Sequence, residues 1–201
     1  MPVNRELNLG FIHVPKTAGT TIERALGMQG KDCFFATEQW DEYRVCPQHL
    51  SHAELLPLLE PGLNLEWFTV VRNPFDRLVS EYHYMMQYGA YHPKLRNISF
   101  EDMIRFCLKY PVEYRKRNFD RHLEPQVSFI NAGMHVEVFK YENLNEVFMW
   151  LQQRVPYELK FGQCMASVRE RDYRSYYADP ALVRIVEDVY EEDLIKFGYE
   201  F

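Results

Sequence analysis

The chain has 201 residues, 47% of them apolar and 15% aromatic, which is enough to build one sizeable core in a single domain over 1–201. Its formal charge of −6 excludes a general nucleic-acid binder, which needs a basic excess against phosphates, so any anionic ligand has to meet a local basic site. No apolar run approaches the ~20 residues of a membrane span, and the first nine residues lack the apolar stretch of a signal peptide, which predicts a cytoplasmic protein. Cys33, Cys46, Cys107 and Cys164 form no C-x-x-C pair and no zinc-ligand spacing; they read as free thiols in a reducing compartment, with a Cys33 to Cys46 disulfide as the alternative.

Leu7 to Val14 is a short run rich in strand formers, closed by Pro15, and Thr20 to Leu26 reads as the helix that follows. Cys33 to Ala36 is a second short apolar run, and His52 to Leu59 a helix ended by the Pro61-Gly62 turn. Trp67 to Val71 carries the strongest strand signal, apolar apart from one threonine as in a parallel strand buried on both faces, and Arg72-Asn73-Pro74 stops it. A long helix then opens at Pro74, with Phe75, Leu78, Val79, Tyr82 and Met86 at helical spacing. Tyr88 to Asn97 reads as an exposed loop, Phe100 to Leu108 as a helix, Val136 to Phe139 as a strand and Leu144 to Leu151 as a helix. Ala181 to Phe197 is one longer helix ended by Gly198. Strands alternating with helices predict an α/β fold, with a mostly parallel central sheet flanked by helices in three layers.

Two stretches are lopsided in charge. Lys94, Arg96, Arg105, Lys109, Arg115, Lys116, Arg117 and Arg121 outnumber their acidic neighbours, as on a solvated surface or one that takes an acidic chain. Toward the C-terminus Asp179, Glu187, Asp188, Glu191, Glu192, Asp193 and Glu200 face few cations and read as a solvated helix face.

In open parallel sheets ligands bind beyond the carboxyl ends of the strands, so the loops after the first and third apolar runs are the places to look. The first, Pro15-Lys16-Thr17-Ala18-Gly19-Thr20-Thr21, offers small residues for close backbone approach, N–H donors, hydroxyls and one cation, the parts of a phosphate cradle. It lacks the G-x-x-x-x-G-K-[ST] spacing of a Walker A loop, and the third run ends in Arg72 where a magnesium-dependent nucleotide hydrolase needs an acid. That pattern suits a ligand with a second anionic group and no metal.

These two segments carry a resemblance. FIHVPKTAGTTIERAL resembles the 5′-phosphosulfate loop of sulfotransferases that use 3′-phosphoadenosine 5′-phosphosulfate, and FTVVRNPFDRLVSEYHY resembles their 3′-phosphate segment. The likeness is closest to the carbohydrate-type members, a group that includes the heparan 2-O-sulfotransferases. His122-Leu123-Glu124-Pro125-Gln126, VFKYENL and VYEEDLIKFGY look like weaker later landmarks. The resemblance implies an architecture related to P-loop nucleotide kinases, that donor as co-substrate, and a hydroxyl-bearing acceptor of saccharide type. Lys16 then stabilises the departing phosphate, and Pro15, Thr17, Ala18, Gly19, Thr20 and Thr21 hold the phosphosulfate. Arg72 and Ser80 take the 3′-phosphate. Ala18 stands where the family often has glycine, which is tolerated at a negative φ. Glycan-modifying members carry a membrane anchor and a larger domain, so this chain is expected to be a minimal version.

The acceptor hydroxyl has to lose a proton, and histidine titrates nearest neutrality. His49, ahead of a helix in Cys46-Pro47-Gln48-His49-Leu50, matches the base of the 2-O-sulfotransferase group in position, with His52 the close second. His122 follows the Arg115-Lys116-Arg117 cluster, so that His122, Arg115 and Arg117 bind an acidic acceptor or His122 packs structurally. His13 reads as a core histidine. SVRERDYRSYY resembles the family loop over the nucleotide, which brings Arg169, Arg171 and a tyrosine to the donor or leaves them as surface. Rival readings are an ATP-dependent small-molecule kinase with a degenerate phosphate loop and a non-catalytic nucleotide- or glycan-binding module.

Overall fold

The computed structural model describes residues 2–28, 45–88, 97–160 and 172–201. The chain forms two compact units, one of Met1–Val71 with Ser128–Met165 and one of Arg72–Val127 with Ala166–Phe201.

The first unit holds the sheet, in the order β1 (Val3–Asn4), β2 (Leu9–Ile12), β3 (Glu66–Val71), β4 (Glu137–Lys140). β2, β3 and β4 run parallel, with Phe11 opposite Phe68 and Val70 opposite Phe139, while the short β1 lies antiparallel to β2. The class read from sequence holds: a mixed α/β chain with a mostly parallel sheet.

Alternation along the strands decides what each face meets. Leu9 and Phe11 with Phe68 and Val70 face α1 (Gly19–Ala25) and α6 (Leu144–Gln152), packing against Ile22, Leu26, Val147 and Leu151. On the other face Ile12 and Trp67 pack with Val3, Val14, Leu55 and Phe129, where α2 (His52–Leu55) supplies the cover. Gly10 lies opposite Trp67 in the β2–β3 register, and a Cβ there would land on the indole, so the ring takes the space that glycine leaves.

The second unit is helical: α3 (Pro74–Tyr88), α4 (Phe100–Asp102), α5 (Val112–Asn118), α7 (Pro180–Val189) and α8 (Glu191–Phe197). Its core gathers Phe75, Leu78 and Val79 with Met103, Ile104, Phe119, Leu182, Val186 and Tyr190.

Several boundaries differ from expectation for local reasons. The Phe100–Leu108 segment turns π-helical over Met103–Cys107. The final helix divides at Tyr190, whose buried ring and hydroxyl bond to the Leu123 carbonyl take it out of helical backbone. Pro57 turns the second half of the His52 helix into a 3-10 turn, Leu56–Leu58. Gly198 ends α8 in the left-handed conformation, as read. The Cys33 to Ala36 run and residues 89–96 of the expected loop lie outside the described residues.

Candidate active site

In the first unit the chain leaves β2 through His13, Val14 and Pro15, all buried, and then reverses its backbone hand twice. Lys16 has φ 68° and Ala18 φ 71°, flanking Thr17 and leading into α1 at Gly19. Such alternation of hands makes a backbone concavity that suits anions. Thr17, fully buried, donates its hydroxyl to the Val14 carbonyl at 2.8 Å and so closes the loop on itself. Ala18 caps α1 without a side-chain bond, and Thr20 and Thr21 stand half-exposed in the first turn. The condition under which alanine is tolerated at position 18, a negative φ, is not met: the residue is left-handed, at a cost of about 1 kcal/mol for an L residue. Lys16 is half-exposed at the mouth of the same loop.

Gly19 is required by what lies beneath it. A Cβ at this position would fall on the imidazole of His13. That ring, 4% exposed, directs Nδ1 to Oε1 of the fully buried Glu23 at 2.5 Å and stacks on Phe11 with centroids 5.6 Å apart. His49, closing the 3-10 turn Pro47–His49, meets the same ring edge-on at 5.0 Å and 83°. The loop and the expected base are thus joined through one imidazole. Glu23 was missed in sequence, yet its signal was there: it shares a helix face with Gly19, Ile22 and Leu26, where an acid is out of place.

His52 is set apart from these groups. It opens α2 behind the Ser51–Glu54 capping box, fully buried, with its ring 4.3 Å from that of Trp67. Neither ring nitrogen has a hydrogen-bond partner among the described residues, and burial pushes its pKa down to about 4. A ring so hard to protonate is a poor general base near neutrality, which favours His49 over it.

In the second unit Arg72 is 3% exposed. Its backbone N–H donates to Gln126 Oε1 and its carbonyl accepts from Gln126 Nε2, a two-way clasp on the residue after β3. Its guanidinium reaches forward onto Asp76 through Nε and Nη2, and Ser80, 4% exposed, lies one further turn along α3 on the face of Asp76. Asp76 and Ser80 therefore share one face of α3, with Arg72 held just ahead of the helix.

Gln126 is held in turn by Asp193, which accepts from the N–H groups of Gln126 and Val127 and from Gln126 Nε2. Burial pushes the Asp193 pKa up. The solvated acidic face expected at the C-terminus is corrected here, since Asp193 is fully buried among exposed acids.

The acceptor candidates part company. Arg117 is exposed, whereas Arg115 is buried and donates to the Leu123 carbonyl, the placement of a structural group. His122 is buried, with Nδ1 2.6 Å from the fully buried Glu81 and its ring stacked on Tyr84. It follows two left-handed residues, Asp120 and Arg121. Arg77, next in the motif after Asp76, is also structural: it donates to the carbonyls of His122 and Glu124. Arg169 and Arg171 lie outside the described residues. Beyond them Tyr177 packs in the core with Phe75, Phe100 and Phe201 and donates to the Phe75 carbonyl, while Arg174 covers the ring of Tyr173.

The first unit thus offers a hand-reversing loop with a lysine and a nearby imidazole, and the second, described by itself, an arginine clasped by Gln126 directly after β3 in sequence. A family model described as "Sulfotransferase family" matches residues 1–200. The chain belongs to the sulfotransferase family, whose members transfer a sulfuryl group to a hydroxyl-bearing acceptor and generally draw it from 3′-phosphoadenosine 5′-phosphosulfate. No curated protein and no solved structure matches the chain.

Proposed function

We propose that the chain carries the sulfuryl group of 3′-phosphoadenosine 5′-phosphosulfate to a hydroxyl of a carbohydrate, without using a metal. The observation that carries this reading is the Pro15 to Thr21 loop, whose left-handed Lys16 and Ala18 and side-chain-free Gly19 shape an anion-binding backbone beside a lysine. α1 is two turns long, so what the loop offers an anion is its local set of N–H groups.

Lys16 and those N–H groups hold the 5′-phosphosulfate. They take up charge as the bond from sulfur to the bridging oxygen breaks, which favours the transition state over the ground state. His49 accepts the proton of the acceptor hydroxyl, whose oxygen forms the new bond to sulfur. The bridging oxygen keeps the electron pair of the broken bond, and adenosine 3′,5′-bisphosphate leaves. Arg72 holds the 3′-phosphate through its planar fork, and Ser80 adds a neutral hydrogen bond.

A saccharide acceptor is supported by a surface of the second unit. Tyr110 and Tyr114 are exposed with ring centroids 4.4 Å apart, and the exposed cations Lys109 and Arg117 flank them. Aromatic faces rimmed by hydroxyls and cations suit a sugar chain that bears acid groups.

Calorimetric titration with adenosine 3′,5′-bisphosphate, set beside ATP with magnesium, tests the donor, and turnover on a panel of saccharides tests the acceptor. Micromolar binding of the bisphosphate and sulfation of a saccharide are expected. Binding of ATP alone would transfer the chain to the kinases, and bisphosphate binding without turnover on any acceptor would make it a binding module.

A further inference from the structure

We propose that His13, with its ring fixed by Glu23, is a positioning residue that ties the donor loop to His49. The inference rests on the reading of His49 as the base, and it concerns a pair to which that reading gives no role.

Residue 13 leaves β2 among Phe11, Ile12 and Val14, where an apolar side chain would pack at no polar cost. A histidine there has to find a partner or lose hydrogen bonds to water. It finds Glu23, itself fully buried, with Oε1 2.5 Å from Nδ1 and Oε2 unpartnered among the described residues. A buried pair of this kind adds little to stability over apolar side chains of the same volume, because both groups have left water. Orientation is what it does supply.

With Nδ1 held by Glu23, the opposite edge of the ring is fixed under Gly19, where its Nε2, Cδ2 and Cε1 atoms occupy the space of a Cβ. His49 packs edge-on against the same ring at 5.0 Å, and Phe11 stacks on it at 5.6 Å. Turning the ring about its own bond would break the Glu23 contact, lift Gly19 and release His49 together. The first residue of α1, its fifth and the base therefore share one geometric reference. A sulfuryl group held by the loop and a proton acceptor held by the same ring stay in register, and misplacement by about 1 Å costs roughly 10²-fold in rate.

The test compares wild type, His49→Ala, His13→Phe, Glu23→Gln and Glu23→Ala as intact chains. It measures kcat and KM for 3′-phosphoadenosine 5′-phosphosulfate, the affinity for adenosine 3′,5′-bisphosphate, and the imidazole NMR signals of His49. His13→Phe keeps the ring volume and Glu23→Gln keeps an acceptor for Nδ1–H. A positioning role predicts a fall in kcat of roughly 10²-fold in His13→Phe and Glu23→Ala, with donor KM and bisphosphate affinity within about 3-fold of wild type. Glu23→Gln recovers most of that rate, and the His49 ring signals shift in His13→Phe. Should His13→Phe fail to fold, the Glu23→Gln and Glu23→Ala comparison decides alone. Turnover within about 3-fold of wild type in every folded His13 and Glu23 variant, with His49→Ala inactive, overturns the inference and leaves the proposed function standing. A fully active His49→Ala instead sinks the base assignment itself.

Discussion

The Arg72 guanidinium folds forward onto Asp76, with Nε and Nη2 both 2.7 Å from the same carboxylate oxygen. The fork is thereby oriented before any ligand arrives, and a lysine would keep the charge while losing the two-point grip. Arg72→Lys should weaken adenosine 3′,5′-bisphosphate binding about 10-fold by calorimetry with little change in unfolding midpoint. Arg72→Ala takes a two-point cationic partner from the buried Asp76 carboxylate, and should lose about 3 kcal/mol of stability in urea titration together with most of the affinity.

His52 makes stability depend on acid. Its folded pKa of about 4 lies below the unfolded 6.5, so between these values the unfolded chain binds a proton that the folded chain refuses. The stability is fully present above pH 6.5 and lost as pH falls toward 4, by up to about 3 kcal/mol. His52→Phe removes the titration and two ring nitrogens that have no hydrogen-bond partner among the described residues, and should flatten that arm of the profile. Urea unfolding at pH 7 and pH 5 reads the difference; a variant that loses as much on acidification as wild type would contradict it.

Ala18 sits at φ 71°, where glycine is at ease and a β-branched residue is not. Ala18→Gly should raise stability by about 0.5 kcal/mol, the relief of the left-handed backbone exceeding the extra entropy of the unfolded glycine. Ala18→Val should lower it by more than 1 kcal/mol, roughly. Denaturant midpoints of the two variants should therefore fall on opposite sides of wild type.

Tyr110 and Tyr114 present an exposed aromatic pair beside Arg117. Tyr114→Ala should raise the KM for a saccharide acceptor roughly 10-fold and leave bisphosphate affinity unchanged, in line with the loss of one stacking face. Equal acceptor kinetics in wild type and variant would place the acceptor elsewhere.

What the sequence disclosed follows from where its signals are local. β3 was readable because five residues in a row avoid charge, and α3 because Pro74 opens it and its apolar positions keep helical spacing. The Pro15 to Thr21 loop was readable as the turn between β2 and α1 from its proline and small residues. The two-residue β1 leaves too short a pattern to register, and α5, charged at most positions, has no apolar stripe to announce it. Residues whose roles depend on distant partners were hidden. Asp193 looked like its exposed acidic neighbours until Gln126 was seen to need it, and Arg115 looked like Arg117. Glu23 and His13 become a pair only when α1 is laid over the end of β2.

Each of the two units is assembled from separate stretches of chain, the first from residues before Arg72 and after Val127. Phe68 finds its β4 neighbour at Glu137, and only after the intervening segment has been made. During synthesis the Pro15 to Thr21 loop therefore emerges long before the sheet that supports it is complete, and no nascent N-terminal fragment owns a finished unit. A stop codon or a protease cut between Arg72 and Val127 would leave a half-built sheet with a bare edge at β3. Such a fragment belongs to the aggregation-prone species that quality control removes, so partial chains are expected to be degraded before they can bind a donor.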